Sequence, residues 1–217
     1  VSAWDSTYAD IFAVKQSKYN RDEIDKVSID VTVSSGLDIR TRFDKRGLFG
    51  SSPRVNVNYT IRLPRTANLR SVGTVNGGIV LRGTGGETSA HTTNGSIKIE
   101  GVSHIVGANS TNGSINIENA MSVREASTTN GSITASITTS PGASEFETVN
   151  GSITLTIPTG TNANLEFRTV NGNIKIPEGV RLGRGQISRK RFSGSIGSGG
   201  PVISAQTVNG SVSMRSQ

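Results

Sequence analysis

The chain has 217 residues, of which 33% are apolar and 5% aromatic, so it can bury a core built mainly from aliphatic side chains. It contains no cysteine, which excludes disulfide frameworks, thiolate metal sites and thiol nucleophiles together. The formal net charge of +7 favours anionic partners such as acidic glycans or a phospholipid surface, although an excess of this size is also common in soluble proteins without such a partner.

Residues 1–66 contain three runs in which apolar and polar residues alternate, at 27–33, 37–43 and 55–63. A period of two is typical of a strand with one buried face. We therefore predict a cap of β-strands over residues 1–66 that covers the first edge of the following segment, residues 67–217. The chain begins with Val1 rather than Met and has no apolar run long enough for a transmembrane helix, so we expect that a secretion or lipoprotein leader has been removed.

Residues 67–217 repeat one short phrase, of the type T-x-N-G-S-I, at nearly even intervals. The interval before the last copy is about twice as long as the others, and FSGSIG at 192–197 is interpreted as a degenerate unit inside it. A period of about 20 residues indicates a repeat architecture, here of eight units stacked one on the next. The asparagines of the phrase are Asn76, Asn94, Asn112, Asn130, Asn150, Asn171 and Asn209.

Each repeat has the pattern of a strand, an Asn-Gly corner and a second strand, because apolar residues alternate on both sides of the corner. In a hairpin meander, Asn-Gly would form tight turns between antiparallel strands, but such turns need no near-identity from one to the next. In a parallel solenoid, every coil places the same residue about 4.8 Å above its counterpart, and this stacking favours identity. The repeat therefore predicts an all-β, single-domain parallel β-solenoid with about 18 to 22 residues per coil.

The recurring asparagines predict a structural ladder in which buried side-chain amides hydrogen-bond from coil to coil. The glycine after each asparagine would supply a positive φ at the corner. A Thr or Ser stands two residues before every asparagine, and its hydroxyl would bond along the stack in the same way.

Basic residues cluster beside the degenerate unit, in RLGRGQISRKR at 181–191, and a glycine-rich stretch follows them. We expect a projecting loop here, which would either contact an anionic partner or lie free in solvent. The basic residues are Arg181, Arg184, Arg189, Lys190 and Arg191.

The chain lacks the residue patterns that mark common active sites, such as GxSxG and HExxH. His91 and His104 are the only histidines, and without Cys or repeated Asp nearby they make a poor metal site. Glu145 and Glu147 share a strand face, but a solvated edge explains them better than a catalytic pair. We therefore predict that the protein is not an enzyme, needs no cofactor or metal, and does not bind nucleic acid.

The phrases DIRTRFDKRG, VNYTIRLPRTANLRSVGTVNGGIVL and T-x-N-G-S-I resemble a bacterial family of β-solenoid domains of unknown function that carries an adhesin label. The family is similar to the toastrack modules of envelope-stress proteins, and the resemblance covers nearly the whole chain. It implies a right-handed parallel β-solenoid outside the cytoplasm, in the periplasm, at the outer membrane or on the cell surface, with peripheral association to the envelope.

Three functions are expected on these grounds. The first is a non-enzymatic cell-envelope or surface protein, either an adhesin or a structural scaffold for protein contacts. The second is a carbohydrate-binding or polysaccharide-processing β-helix that uses the basic segment. The third is an envelope-stress sensing or assembly module that associates face to face or end to end, since nothing after Met214 resembles a cap. The expected partner is accordingly an envelope protein, a glycan or a second copy.

Overall fold

The computed structural model of the protein describes residues 1–18, 21–44, 53–139, 142–177 and 186–217. This part of the chain is built almost entirely from strands, with one short 3-10 helix at Arg21–Lys26. It divides into two compact units, a larger one of Val1–Ala9 with Leu63–Gln217 and a smaller one of Asp10–Arg62. None of its helical residues form a segment with the length and apolar character needed to cross a membrane.

Strand formation follows the alternating sequence, because β-branched and aliphatic residues at every second position fit a pleated surface with one buried face. The strands of the described residues are numbered in chain order. They are β1 (Ser2–Trp4), β2 (Asp10–Ser17), β3 (Val27–Val33), β4 (Leu37–Phe43), β5 (Val55–Pro64), β6 (Leu69–Asn76), β7 (Ile79–Arg82), β8 (Glu87–Asn94), β9 (Ile97–Glu100), β10 (His104–Asn112), β11 (Ile115–Ala120), β12 (Ser122–Val123), β13 (Glu125–Asn130), β14 (Ile133–Ile137), β15 (Ser144–Asn150), β16 (Ile153–Ile157), β17 (Ala163–Asn171), β18 (Ile174–Lys175), β19 (Gln186–Ile187), β20 (Arg191–Ile196), β21 (Val202–Asn209) and β22 (Val212–Ser216).

The smaller unit consists of two antiparallel strand pairs, β2 with β5 and β3 with β4. The alternating runs at 27–33, 37–43 and 55–63 become β3, β4 and β5, as the period of two predicts. A hydrogen bond of 2.6 Å between the hydroxyls of Thr41 and Tyr59 links the two pairs.

The larger unit contains two sheets of parallel strands, one on each side of the Asn-Gly corners. The strands before the corners form what we call the upstream sheet, with the parallel order β6-β8-β10-β13-β15-β21-β17. The strands after the corners form the downstream sheet, with the parallel order β1-β7-β9-β11-β14-β16-β22-β18. The prediction of an all-β fold with parallel pairing is thus confirmed, because a hairpin meander would give antiparallel neighbours.

Equivalent residues of successive repeats are direct neighbours in these sheets. Asn94 pairs with Asn76 of the preceding repeat on one side and with Asn112 of the following repeat on the other. In the downstream sheet, Ile115 pairs with Ile97 of the preceding repeat in the same way. We call each repeat, with its upstream strand, corner and downstream strand, a coil of this β-solenoid-like stack.

The last coil does not lie at the end of the stack. β21 pairs with β15 on one side and with β17 on the other, and β22 pairs in the same way with β16 and β18. Asn209 therefore lies between Asn150 and Asn171, although it follows both in sequence. The prediction that the coils stack one on the next in chain order is wrong at this point. Since the last coil has a strand partner on each side, it does not present the open edge expected after Met214.

The degenerate unit predicted at residues 192–197 is also wrong, because these residues do not form a coil. Residues 192–196 belong to β20, which pairs antiparallel with β17 and places Phe192 opposite Phe167. The two rings lie 5.9 Å apart between centroids and are both buried. β19 pairs antiparallel with β20, so a hairpin rather than another parallel coil follows β17 in the upstream sheet.

The core of the larger unit lies between its two sheets and is filled by the inward residues of each alternating strand. Ile97, Ile99 and their counterparts are almost fully buried except in the coil of Asn171, where Ile174 and Ile176 are partly buried. From the second coil onward, the position four residues before each ladder asparagine is also buried, and small and large side chains alternate there near the last coil. In stack order this column reads Ala90, Ala108, Ala126, Phe146, Ala205 and Phe167.

Candidate functional site

The predicted asparagine ladder is present and runs through all seven coils. Each amide Nδ2 donates to the Oδ1 of the neighbouring asparagine at 2.8 to 2.9 Å, and six such bonds connect the column. The ladder follows the stack, so Asn209 donates to Asn150 and Asn171 donates to Asn209. The asparagines are exposed, which corrects the prediction of a buried ladder. The corner turns the side chains outward, where their mutual bonds form at the surface.

Close stacking, rather than a positive φ, explains the glycine at the corners in the middle of the stack. The left-handed φ expected there is not found at Gly95, Gly113, Gly131 or Gly151. A Cβ placed on Gly95 would lie 2.0 Å from the carbonyl oxygen of Gly77 in the preceding coil. Only glycine lets the backbones of successive corners approach this closely.

From the second repeat onward, the hydroxyl two residues before the asparagine bonds to backbone, not to its own column as predicted. Thr128 Oγ1 donates to the carbonyl oxygen of Gly113 at 2.8 Å, and the equivalent bonds in the other coils measure 2.7 to 3.0 Å. These hydroxyls are buried or nearly so, and their bonds satisfy the corner carbonyl of the adjacent coil. The T-x-N-G phrase is therefore a structural device that joins coils, with its polar groups occupied by one another.

A surface with exposed apolar side chains lies on the outer face of the upstream sheet. Val149, Val208 and Val170 occupy the position before the asparagine in three successive coils, with 41%, 40% and 55% of their surfaces exposed. They form the floor of a shallow groove of about 540 Å³. We call this feature the valine groove.

The charge of the polar side chains that line the valine groove changes from negative to positive along the stack. Glu147 lies beside Val149, Arg168 lies beside Val170, and Lys190 and Arg191 follow at the end of the groove. Arg168 and Arg191 are directly opposite each other in the pairing of β17 with β20. Among the described residues, no ion pair involves Arg168, Lys190 or Arg191, so three cations without an acidic partner gather at one end of an apolar floor.

Of the basic cluster predicted from the sequence, Arg189, Lys190 and Arg191 lie in the described residues and are exposed. Arg181 and Arg184 lie outside them. Arg168 and the three valines were not predicted as functional residues. The sequence does contain a partial indication of the three valines. The repeats at Asn150, Asn171 and Asn209 read T-V-N-G, whereas three earlier repeats read T-T-N-G or S-T-N-G.

Glu145 and Glu147, which share a strand face as the sequence indicates, lie on the outer face of the upstream sheet. Glu145 lies opposite Glu125 of one neighbouring coil and Ser204 of the other, while Glu147 lies between Ser127 and Gln206. Both carboxylates are exposed. They are one element of the polar surface beside the valine groove.

A compact charge cluster lies on the outer face of the downstream sheet. Glu100 accepts from Lys98 Nζ and Arg82 Nε, each at 2.5 Å, and Lys98 Nζ also lies 3.8 Å from Glu118. Glu100 and Glu118 occupy the same position in successive coils, as their repeat spacing indicates. The hydrogen bonds from Lys98 and Arg82 hold the pKa of Glu100 below its ordinary value, so these carboxylates act as partners of neighbouring cations.

The two histidines are separate surface residues. The ring of His91 covers Gly73, where a Cβ would lie 2.1 Å from His91 Nε2. His104 Nδ1 is 2.9 Å from Ser122 Oγ. In the part of the chain that the structure describes, no three His, Cys, Asp or Glu side chains are placed to hold a metal ion together.

Comparison with known proteins gives one match. A family model described as Toastrack DUF4097 matches residues 23–215, which is most of the chain. No curated protein and no solved structure matches the chain significantly. The matched segment contains every asparagine of the ladder and every residue named in the valine groove.

Proposed function

Because the chain belongs to the Toastrack DUF4097 family of domains of unknown function, we propose that it is a non-enzymatic, adhesin-type recognition module of the bacterial cell envelope, located outside the cytoplasm. The observation that carries this proposal is the valine groove, where an exposed apolar floor ends at three cations that have no acidic partner among the described residues. Exposed apolar surface that is flanked by uncompensated charge is characteristic of a contact site.

The ligand that this groove fits is an acidic polysaccharide. Its floor is built from neighbouring parallel strands, so the valines recur about every 4.8 Å and offer a narrow apolar track to the CH faces of an extended sugar chain. Arg168 and Arg191 present planar guanidinium groups that can take carboxylates in bidentate fashion. Exposed cations of this kind give binding that weakens as salt is added.

We also propose the handedness, the coil length and the N-terminal cap of the fold. The stack winds as a right-handed solenoid with about 18 to 22 residues per coil, and the strands of residues 1–66 cap its first edge. The regular spacing of about 20 residues between the asparagines of the first six coils supports the coil length. The need of every open sheet edge for a cover supports the cap.

A binding measurement on the full chain tests the proposed function. Polygalacturonate, which carries one carboxylate on each sugar, is titrated in a calorimeter beside neutral dextran, and released reducing ends are assayed in the same samples. We expect saturable binding to polygalacturonate that weakens with salt, no binding to dextran and no released ends. The paired substitution Arg168→Glu with Lys190→Glu should abolish binding.

Lys175→Glu with Arg215→Glu is the matched control, since both residues are exposed cations on the downstream sheet and their reversal changes the net charge by the same amount. Binding that survives in this variant locates the ligand at the valine groove. Equal losses in both variants would show only a general attraction of the charged protein for the polymer. Absence of binding by the unmodified chain would contradict recognition of acidic glycans, and release of reducing ends would contradict a non-enzymatic module.

A further inference from the structure

The last coil, residues 202–217, occupies a slot between two coils that precede it in the chain. Both of its strands have parallel partners on each side. In the folded chain the coils of Asn150 and Asn171 are therefore separated by a segment that follows both in sequence. This is unlike the second to fifth coils, each of which pairs directly with the coil before it in the chain.

The edges of the slot make the same bonds as any other pair of coils. The backbone nitrogen of Gly151 donates to the carbonyl oxygen of Asn209, and that of Gly210 donates to Asn171, both at 3.0 Å. Thr207 Oγ1 and Thr169 Oγ1 bond across the two edges at 2.8 and 2.7 Å. The slot thus binds a coil through its corner backbone groups and its threonine hydroxyl. These contacts do not depend on how that coil is connected to the rest of the chain.

The core of the slot also requires a small residue at one position. Ala205 lies between Phe146 and Phe167 in the buried column, and all three have no exposed surface. If the slot closed without the coil, the two phenylalanine rings would become neighbours about 4.8 Å apart in one crowded column. An emptied slot is therefore best filled by another copy of the same coil.

A short glycine-rich segment, residues 197–201, connects β20 to the last coil. Gly197 and Gly199 have φ values of 60° and 76°, which glycine can leave at little cost when the segment changes direction. Its bonds lie at the two ends of the segment. Asn164 Nδ2 and the Asn164 backbone nitrogen donate to the carbonyl oxygens of Gly200 and Pro201, while the backbone nitrogens of Ser198 and Gly199 donate to Asn162 Oδ1 and to the carbonyl oxygen of Ile196. All four would have to break or re-form when the segment changes direction. This segment has the properties of a hinge.

We propose that the last coil is an exchangeable element that enters the same slot in a second copy of the chain, so that two copies form a reciprocal, coil-swapped dimer. The contacts within the slot are identical in the closed monomer and in the dimer, so the two states differ mainly in the hinge and in the entropy of association. High protein concentration therefore favours the dimer. The proposal is independent of the ligand of the valine groove.

Introduced cysteines can report the exchange because the chain has none of its own. Val149 and Val208 are exposed neighbours on the two sides of one slot edge. Full chains carrying V149C and full chains carrying V208C are mixed, partly unfolded, refolded at high concentration and oxidised. We expect a several-fold excess of disulfide-linked heterodimer over a control mixture of V75C and V208C chains, since Val75 is more exposed but lies in the first coil.

A second variant separates exchange from incidental crosslinking. The double variant V149C/V208C, oxidised as a monomer, locks the coil in its own slot and should give no dimer by size-exclusion chromatography after the same treatment. Reduction of the disulfide should restore dimer formation. Equal crosslinking in the two mixtures, or a dimer that still forms from the locked variant, would overturn the proposal.

Discussion

Each asparagine inside the ladder is held at the protein surface by two side-chain bonds. Asn130 donates to Asn112 and accepts from Asn150, both at 2.8 Å. Asn76, at the end of the column, has a ladder neighbour on one side and accepts the bond from Asn94, its single side-chain bond among the described residues. Because a surface hydrogen bond competes with water, each ladder bond contributes little to the free energy of unfolding. The ladder stabilises the fold through the sum of many such bonds.

The ladder predicts a graded effect of alanine substitution. Asn130→Ala removes two ladder bonds and should lower the free energy of unfolding by about 1 to 2 kcal/mol, whereas Asn76→Ala removes one and should cost about half as much. Urea unfolding of the two variants beside the unmodified chain measures both effects. Equal or negligible losses at the two positions would mean that the ladder bonds are replaced by water without a penalty.

The sequence predicts which residues of the repeat are equivalent, but it does not predict why each of those positions requires its particular residue. Spacing alone fixes which asparagines align, because parallel coils of equal length bring equivalent residues together. The exposure of those asparagines depends on how the corner turns. The need for Gly95 depends on a backbone oxygen 2.0 Å from its missing Cβ, and that oxygen belongs to Gly77 of the preceding coil.

At the scale of the strands, charge pairing on the outer faces supplements the buried columns. β7, β9 and β11 bring Arg82, Glu100, Lys98 and Glu118 into one cluster on the downstream sheet. All four are partly exposed, so each pair contributes little by itself. Their contribution should nevertheless be visible through its dependence on pH.

The lowered pKa of Glu100 predicts that its contribution to stability is complete above the ordinary carboxyl value of 4.5 and is lost as pH falls through the folded-state value. Glu100→Gln should therefore melt at a lower temperature than the unmodified chain at pH 7, and the difference should shrink as the pH falls below 4.5 and through the lowered pKa of Glu100. Glu87→Gln is the control, since Glu87 is exposed and has no ion pair among the described residues. A difference at Glu100 that persists at low pH would show that packing, not charge, is responsible.

Strand positions were predicted well wherever alternation was strong, as in β3, β5 and β9. The role of β20 was not predicted, because FSGSIG at 192–197 has the alternation of a coil but lacks the asparagine that would join the ladder. Its Phe192 packs against Phe167 in an antiparallel pair instead. A period of two fixes which face of a strand is buried, but it does not specify the direction of the neighbouring strand.

For the whole molecule, the order of coils determines where the candidate site forms. The T-V-N-G repeats at Asn150, Asn171 and Asn209 become three adjacent coils only because the last one enters between the other two. Sequence could not predict this order, since the edges of all coils offer the same ladder and backbone groups to an incoming strand. The continuous floor of the valine groove and the exchangeable coil both depend on it.

Disulfide formation within single molecules tests this order most directly. In the observed stack, Val149 and Val208 lie on adjacent strands about 4.8 Å apart, within the range that a disulfide spans, whereas Val149 and Val170 lie two strands apart. We predict that dilute V149C/V208C oxidises rapidly to an intramolecular disulfide and that dilute V149C/V170C remains reduced. Rapid bridging in V149C/V170C with none in V149C/V208C would show coils stacked in chain order, and would contradict both the intercalated coil and the groove built on it.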